Sequence, residues 1–359
     1  MTLRILLAGG GTSGHVSPLL ATAHALQESG EDVELLALGT NDGLEAELVP
    51  AAGLELVTID KVPFPRRPNG AAVRFPMRFG RTLGQVRRLL KERQIDVVAG
   101  FGGYVCPPAY LAAASASVPV VLHEANRRPG LANRLGARRA AAVLTAFEGT
   151  GLPKARRIGM PMRASIAHLD RAARRAEAAK RLGLDPQRPT LLATGGSLGA
   201  LSMNTALTAA APRILETGAQ ILHITGKGKA EGIPAREGHH IREYVQAMED
   251  AYAVADLALT RSGAGTVCEL ATIGLPAVLI PLPIGNGEQA LNGQDLVAAG
   301  GALMIPDAEL DADRLCTVVL PLLSDPQRLQ EMSTAARAFG TDDAAEQVAS
   351  IVIGAARRA

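Results

Sequence analysis

The strongest constraint on what this chain can fold into is a repeated alternation. Short runs rich in Leu, Ile, Val and Ala are separated by longer stretches with helical spacing of apolar residues, from one end of the sequence to the other. Such runs read as strands buried on both faces, and their alternation with helices predicts βαβ units and parallel sheets. In the first half the predicted strands are 4–8, 33–37, 54–59, 97–99, 120–122 and 142–145; in the second they are 190–193, 221–224, 257–260, 277–280 and 302–305. Amphipathic segments at 19–29, 203–216 and 266–273 are among the intervening helices.

At 359 residues the chain exceeds one ordinary core and suits two. Turn chemistry at Gly159-Met160-Pro161-Met162 marks a boundary, giving an N-terminal domain at 1–162 and a C-terminal domain at 163–340. The remaining residues, 341–359, have a helical pattern and are expected to pack back on the first domain. Arg171 to Arg181 reads as a highly charged surface helix. The first ten residues run from a short apolar stretch straight into glycines, which reads as a buried strand and not as a signal peptide. No stretch reaches the ~18 apolar residues that a membrane span requires.

Three cysteines, Cys106, Cys268 and Cys316, lie far apart and are odd in number. They fit neither a disulfide framework nor a zinc site and are expected to be buried thiols. The net charge is only +2, and four Tyr, six Phe and no Trp leave few rings for stacking bases. Both facts argue against a nucleic-acid partner.

Three of the predicted strands end in glycine loops. The first, Gly9-Gly10-Gly11-Thr12-Ser13-Gly14-His15, precedes a helix expected from about Pro18. Gly9, Gly11 and Gly14 form the GxGxxG pattern, which suits a dinucleotide when an acidic residue closes the next strand. Here that strand, Val33 to Gly39, ends without one. The second loop is Gly195-Gly196-Ser197-Leu198-Gly199-Ala200, and the third is Arg261-Ser262-Gly263-Ala264-Gly265-Thr266. Backbone N–H groups at such helix starts, and the Ser197 hydroxyl, suit phosphate oxygens. Glu269 follows one turn beyond the third loop, where a carboxylate can accept from both hydroxyls of a ribose. Read from these residues alone, the chain is an NAD(P)-dependent oxidoreductase, a nucleotide-sugar transferase or a non-catalytic sensor of a nucleotide sugar.

Further motifs narrow the choice: Gly102-Gly103-Tyr104, His123-Glu124-Ala125-Asn126, Pro129-Gly130-Leu131-Ala132-Asn133, Gly159-Met160-Pro161-Met162-Arg163, Gly274-Leu275-Pro276, and Glu288-Gln289 with Asn292. In order and spacing, from end to end, they and the glycine loops resemble the bacterial N-acetylglucosamine transferase family that completes the lipid-linked disaccharide-pentapeptide precursor of peptidoglycan. The resemblance implies an α/β fold of GT-B type, with two Rossmann-like domains whose parallel sheets face each other across a cleft. It implies inverting transfer of N-acetylglucosamine from UDP-N-acetylglucosamine to the muramyl 4-hydroxyl of an undecaprenyl-diphosphate-linked muramoylpentapeptide. Another lipid or natural-product acceptor is the alternative.

Carried over residue by residue, the resemblance places Ser197 and Arg163 on the UDP and the Val245 backbone on the uracil. Ala264, Gly265, Thr266, Val267, Cys268 and Glu269 would wrap diphosphate and ribose, with Gln289 on the sugar. In the first domain Thr12, Ser13, Gly14, His15 and Asn126 would meet the sugar end of the donor and the acceptor. Ser13, Ala125 and Glu288 depart from the usual family pattern of Gly, Gln and Gln.

Transfer with inversion requires a base for the acceptor proton and stabilisation of the leaving diphosphate. His15 is the first candidate base and Glu124 the second. No acidic pair of metal-binding type is evident, so no cofactor or metal is expected, and helix N-termini with Arg163 would supply the positive field. Between Lys61 and Gly100 there are ten Lys or Arg and only two acids. Within that stretch Arg74, Phe75, Met77, Arg78, Phe79 and Arg81 interleave apolar and basic side chains. The mix suits an anionic membrane surface, and predicts peripheral placement on the cytoplasmic face of the cell membrane.

Overall fold

The computed structural model describes residues 2–65, 70–196, 200–284 and 287–358. The chain divides into two compact units, Met1–Arg163 with Asp343–Ala359, and Ala164–Asp342.

The first unit holds strands β1 (Leu3–Gly9), β2 (Val33–Gly39), β3 (Glu55–Thr58), β4 (Val97–Gly102), β5 (Val120–Glu124), β6 (Ala142–Thr145) and β7 (Ala155–Arg157). Between them run α1 (Ser13–Glu28), α2 (Glu45–Ala51), α3 (Gly70–Glu92), α4 (Cys106–Ser115) and α5 (Leu131–Gly136). The sheet is parallel with strand order β3-β2-β1-β4-β5-β6-β7. Ile5, Leu6, Leu7 and Ala8 of β1 are wholly buried, as a central strand covered on both faces must be.

The second unit holds β8 (Thr190–Thr194), β9 (Gln220–Ile224), β10 (His239–Arg242), β11 (Leu257–Thr260), β12 (Ala277–Leu279) and β13 (Ala302–Met304). Its helices are α6 (Ala164–Ala167), α7 (Arg171–Leu182), α8 (Leu201–Leu215), α9 (Met248–Val254), α10 (Ala264–Ile273), α11 (Glu288–Ala298), α12 (Ala312–Leu323) and α13 (Pro326–Phe339). The order is β10-β9-β8-β11-β12-β13, again all parallel. The last helix, α14 (Ala344–Ala356), returns to the first unit, where Val348, Ala349, Val352 and Ile353 join the core of Ile5, Leu7, Leu19, Val97 and Val121.

In both sheets the strand order reverses at one point, between β1 and β4 in the first and between β8 and β11 in the second. Crevices at the carboxyl ends of the strands beside such a reversal are where open α/β sheets bind ligands. The three glycine loops follow β1, β8 and β11, so topology alone brings them to those points.

Two strands depart from the sequence expectation. β7 (Ala-Arg-Arg) and β10 (His-His-Ile-Arg) carry no apolar run, and both lie at a sheet edge, where only one neighbour has to be satisfied. α1 also begins earlier than expected, at Ser13, with Pro18 inside it. Proline there removes one intrahelical donor, the one that would have reached the Gly14 carbonyl. α7 is not a purely solvated helix: Arg175 pairs with Asp256, and Arg174 and Arg181 with Asp250.

Candidate functional site

At the reversal of the first sheet, the loop after β1 is shaped by a buried carboxylate. Glu45, at the start of α2, is 1% exposed; its Oε2 accepts from the Gly11 N–H at 2.7 Å, and its Oε1 from the Thr40 N–H at 2.9 Å and the Thr40 hydroxyl at 2.7 Å. Any Cβ at Gly10 would overlap this carboxylate, so the loop needs glycine there. Burial opposes the Glu45 charge, but the Gly11 and Thr40 hydrogen bonds prevail and hold its pKa below the ordinary carboxylate value. One loop amide is therefore already occupied by an internal anion. That amide is not available to the pyrophosphate which the dinucleotide reading would place there.

The same loop fixes His15. Its Nδ1 lies 2.9 Å from the Gly10 carbonyl oxygen and 3.2 Å from Thr12 Oγ1. A carbonyl only accepts, so Nδ1 carries the proton, and in the neutral ring Nε2 is the basic nitrogen. That nitrogen packs over the end of β4, where a Cβ on Gly102 would come within 2.8 Å of it. The motif Gly102-Gly103-Tyr104 thus makes room for the imidazole, while Tyr104 is 44% exposed.

Glu124, the second candidate base, is placed otherwise. It is 3% exposed; Oε1 accepts from the Asn126 N–H at 2.9 Å, and Oε2 from the Gly130 N–H and Asn133 Nδ2, both at 3.0 Å. Asn133 accepts in turn from the Tyr110 hydroxyl at 2.8 Å. The structure makes Glu124 the pin of the 126–130 loop, its carboxylate accepting from two loop amides and from Asn133. His123 is buried beside it and donates from Nε2 to the Gly159 carbonyl at 2.8 Å; burial outweighs that bond and lowers its pKa to about 4, so it stays neutral.

At the reversal of the second sheet, α10 starts at Ala264 after Gly263 as N-cap. The Val267 N–H bonds to the Gly263 carbonyl, which leaves the N–H groups of Ala264, Gly265 and Thr266 as the unpaired first turn of the helix. Val267 and Cys268 were expected on the donor, but both side chains face the interior, at 0% and 7% exposed, and the Val267 amide is spent within the helix. Cys106, Cys268 and Cys316 are all free thiols and all buried, as expected.

Glu269 is half-buried on α10, and its Oε2 accepts from the Tyr252 hydroxyl at 2.7 Å. Gln289, on the first turn of α11, accepts through Oε1 from the Leu282 N–H at 3.0 Å, which leaves its amide NH₂ to donate elsewhere. Val245 is half-buried in the segment between β10 and α9, and Arg163 is exposed at the end of the first unit. Ser197 lies outside the described residues. Thr12 and Ser13 are exposed, and Gly14 and Asn126 half-buried.

Three residues that the sequence did not single out organise these loops, Glu45, Tyr252 and Asp307, and Asn133 of the Pro129–Asn133 motif joins them. Asp307 accepts from Arg261 at 2.6 Å and from the Ser202 hydroxyl at 2.7 Å; Arg261 also donates to Ser202 Oγ and to the carbonyls of Ile280 and Pro281. Burial works against the Asp307 charge, but the Ser202 and Arg261 bonds lower its pKa. One guanidinium thereby ties the start of α8, the loop after β12 and the segment after β13. Among the described residues, no group of three His, Cys, Asp or Glu side chains is arranged to hold a metal ion.

Two doubly wound units with glycine loops at their strand reversals define an α/β fold of GT-B type. The chain belongs to glycosyltransferase family 28, whose N-terminal domain matches residues 5–145 and whose C-terminal domain matches residues 190–348. It is 53% identical over 358 residues, 98% of this chain and 96% of the relative, to the UDP-N-acetylglucosamine–N-acetylmuramyl-(pentapeptide) pyrophosphoryl-undecaprenol N-acetylglucosamine transferase of Paenarthrobacter aurescens (strain TC1). The enzyme of the same name from Clavibacter michiganensis subsp. michiganensis is 56% identical over 348 residues, 97% of this chain and 95% of the relative. Among solved structures, MurG of Acinetobacter baumannii superposes with a TM-score of 0.82 at 29% identity, covering 98% of this chain and 99% of that one. The resemblance carried by the motifs is borne out along the full length.

Proposed function

We infer that this chain transfers N-acetylglucosamine from UDP-N-acetylglucosamine to the muramyl 4-hydroxyl of undecaprenyl-diphosphate-linked muramoylpentapeptide, inverting the anomeric centre. The observation that carries this reading is identity above one half, over nearly the whole chain, to transferases named for that reaction. The geometry of the two loop clusters agrees with it.

In this reading the second unit holds the donor. The free N–H groups of Ala264, Gly265 and Thr266 face the diphosphate, Glu269 accepts from the ribose hydroxyls, Val245 meets the uracil, and Gln289 meets the sugar. His15 Nε2 takes the proton of the acceptor hydroxyl as that oxygen attacks the anomeric carbon. The bond from that carbon to the β-phosphate oxygen breaks, and its electron pair leaves with UDP. Charge grows on the diphosphate through an oxocarbenium-like transition state, and the positive end of α10 with Arg163 stabilises it. The reaction so written uses no metal.

The lipid-linked acceptor also calls for a membrane-facing surface, and α3 supplies one. Val73 and Met77 are 82% and 65% exposed, and Phe64 before the helix is 65% exposed. Phe64, Phe75 and Phe79 form a ladder with ring centroids 5.4 Å apart at each step, flanked by exposed Arg74, Arg78 and Arg81. No helix among the described residues is long and apolar enough to cross a membrane. We place the enzyme peripherally, on the cytoplasmic face, with α3 against anionic lipid.

The test is UDP release by purified protein in detergent, given UDP-N-acetylglucosamine with and without a synthetic lipid-linked muramoylpentapeptide. Release that requires the acceptor and prefers this donor over UDP-glucose and UDP-N-acetylgalactosamine is the expected result. Donor binding without release would keep the donor site and replace the acceptor with another lipid or a natural-product aglycone.

A further inference from the structure

We propose that Cys106 is a positioning residue for His15. Its buried thiol fixes the Gly102-Gly103 turn against which the imidazole is held, and so keeps Nε2 in place for the acceptor hydroxyl. The proposal rests on the reading of His15 as the base.

The turn meets the histidine at both ends. A Cβ on Gly102 would come within 2.7 Å of His15 Cδ2 and 2.8 Å of Nε2, and one on Gly103 would overlap the Gly10 carbonyl that accepts from Nδ1–H. Both glycines lie at positive φ, +106° for Gly102 and +93° for Gly103. Such a turn requires glycine, but two in succession leave the backbone more freedom than any other pair. Something else has to hold it.

Cys106 does so from the first residue of α4, where it is wholly buried. Its Sγ accepts from the Gly102 N–H at 3.2 Å and lies 3.2 Å from each of the Ala8 and Gly102 carbonyl oxygens, to which the thiol hydrogen can turn. These contacts span the step where the β1–β4 ladder slips. Ala8 stands opposite Gly100 and Gly9 opposite Gly102, so Phe101 is an extra residue in β4. The thiol therefore ties β1 to β4 where their pairing is irregular, beside the loop that carries His15. Burial pushes its pKa up to about 11, so near neutral pH it stays protonated and keeps both donor and acceptor roles. Without it the Gly102 amide loses this partner, the turn is free to shift, and the ring can exchange tautomers. In the Nε2–H form that nitrogen no longer acts as a base.

The experiment is a double-mutant cycle in acceptor-dependent turnover, with Cys106→Ala, His15→Ala, their combination, and Cys106→Ser. A displaced catalytic group costs up to about a hundredfold in rate, so Cys106→Ala should lower kcat by about ten- to a hundredfold, with KM for the donor within about twofold. In the His15→Ala background the same change should lower kcat by less than about twofold, because its target is gone. Cys106→Ser keeps an acceptor for the Gly102 N–H and a donor for the Ala8 carbonyl, and should recover kcat to within about threefold of wild type. Nitrogen-15 shifts of the His15 ring, assigned by their loss in His15→Ala, give a readout apart from turnover. They should show the proton on Nδ1 in wild type and Cys106→Ser, and mixed tautomers in Cys106→Ala. An unchanged kcat in Cys106→Ala, or an equal fold-loss in both backgrounds, overturns the proposal; the second result is what a general loss of folded protein would give. A wild-type kcat in His15→Ala overturns the base reading and the proposal together.

Discussion

The proton inventory of His15 decides what the first site can do. Its Nδ1–H is committed to the Gly10 carbonyl, so the base is Nε2, held in one tautomer before any substrate arrives. Glu124, the second candidate by sequence, has both oxygens engaged by the 126–130 loop and by Asn133. Replacing His15 by Ala should therefore lower kcat by about 10²–10⁴, the usual range for losing a general base, and leave the UDP dissociation constant within about twofold. Single-turnover kinetics beside equilibrium UDP binding would check this. A matching loss of UDP affinity would instead make His15 a ligand-binding donor. Glu45 explains why one residue can be so well placed. Its carboxylate, tied to Thr40 five residues before it, reaches Gly11 of the β1 loop across 34 positions, a bond that no local motif announces. Tyr252 reaches Glu269 across 17 positions, and Asp307 reaches Arg261 across 46 and Ser202 across 105. Loops and their glycines were legible in the sequence because turn geometry is local; the side chains that brace those loops were not, because their partners are brought near only by the sheet.

Among whole elements, what the sequence made legible is the buried strands, and what it left out is the polar edges. β1, β4, β5, β8 and β11 announce themselves because a strand covered on both faces must be apolar throughout. β7 and β10 carry arginine and histidine, since an edge strand is paired on one side only. α3 shows the opposite case, an element whose exposed face is more apolar than solvation alone would favour. Its inner residues Thr82, Val86 and Leu90 are buried, whereas Val73 and Met77 project outward among arginines. Each basic residue near an anionic surface contributes about 1 kcal/mol. Reversing Arg74, Arg78 and Arg81 to Glu should then weaken binding to vesicles containing anionic phospholipid by at least about a hundredfold, with turnover on a detergent-soluble acceptor analogue preserved. Cosedimentation at several salt concentrations is the measurement, and undiminished binding would return α3 to an ordinary solvated helix with an aromatic ladder.

The whole chain is knit by its ends. The first unit begins at β1 and closes only when α14 arrives after the entire second unit, so its core joins residues more than 300 positions apart. Contacts of such sequence separation form late, and a chain folding as it is synthesised holds an incomplete first core until its last helix is made. The second unit has no such dependence: it is one continuous stretch, Ala164–Asp342, with Leu191, Leu259, Val278 and Met332 among its buried residues. A charge placed under α14 should consequently damage one unit and spare the other. Val352 is fully buried in the first core, against residues of β1, α1, β4 and β5. An unpaired carboxylate there costs about 3–5 kcal/mol, a large share of what one domain of this size commands. Val352→Asp should lower the melting temperature of the first unit, with amide exchange accelerating in β1, β4 and β5. Exchange in β8 and β11 should stay at the wild-type rate. Uniform acceleration across both sheets would mean that the units unfold as one, and that α14 supports the molecule as a whole, not the first core in particular.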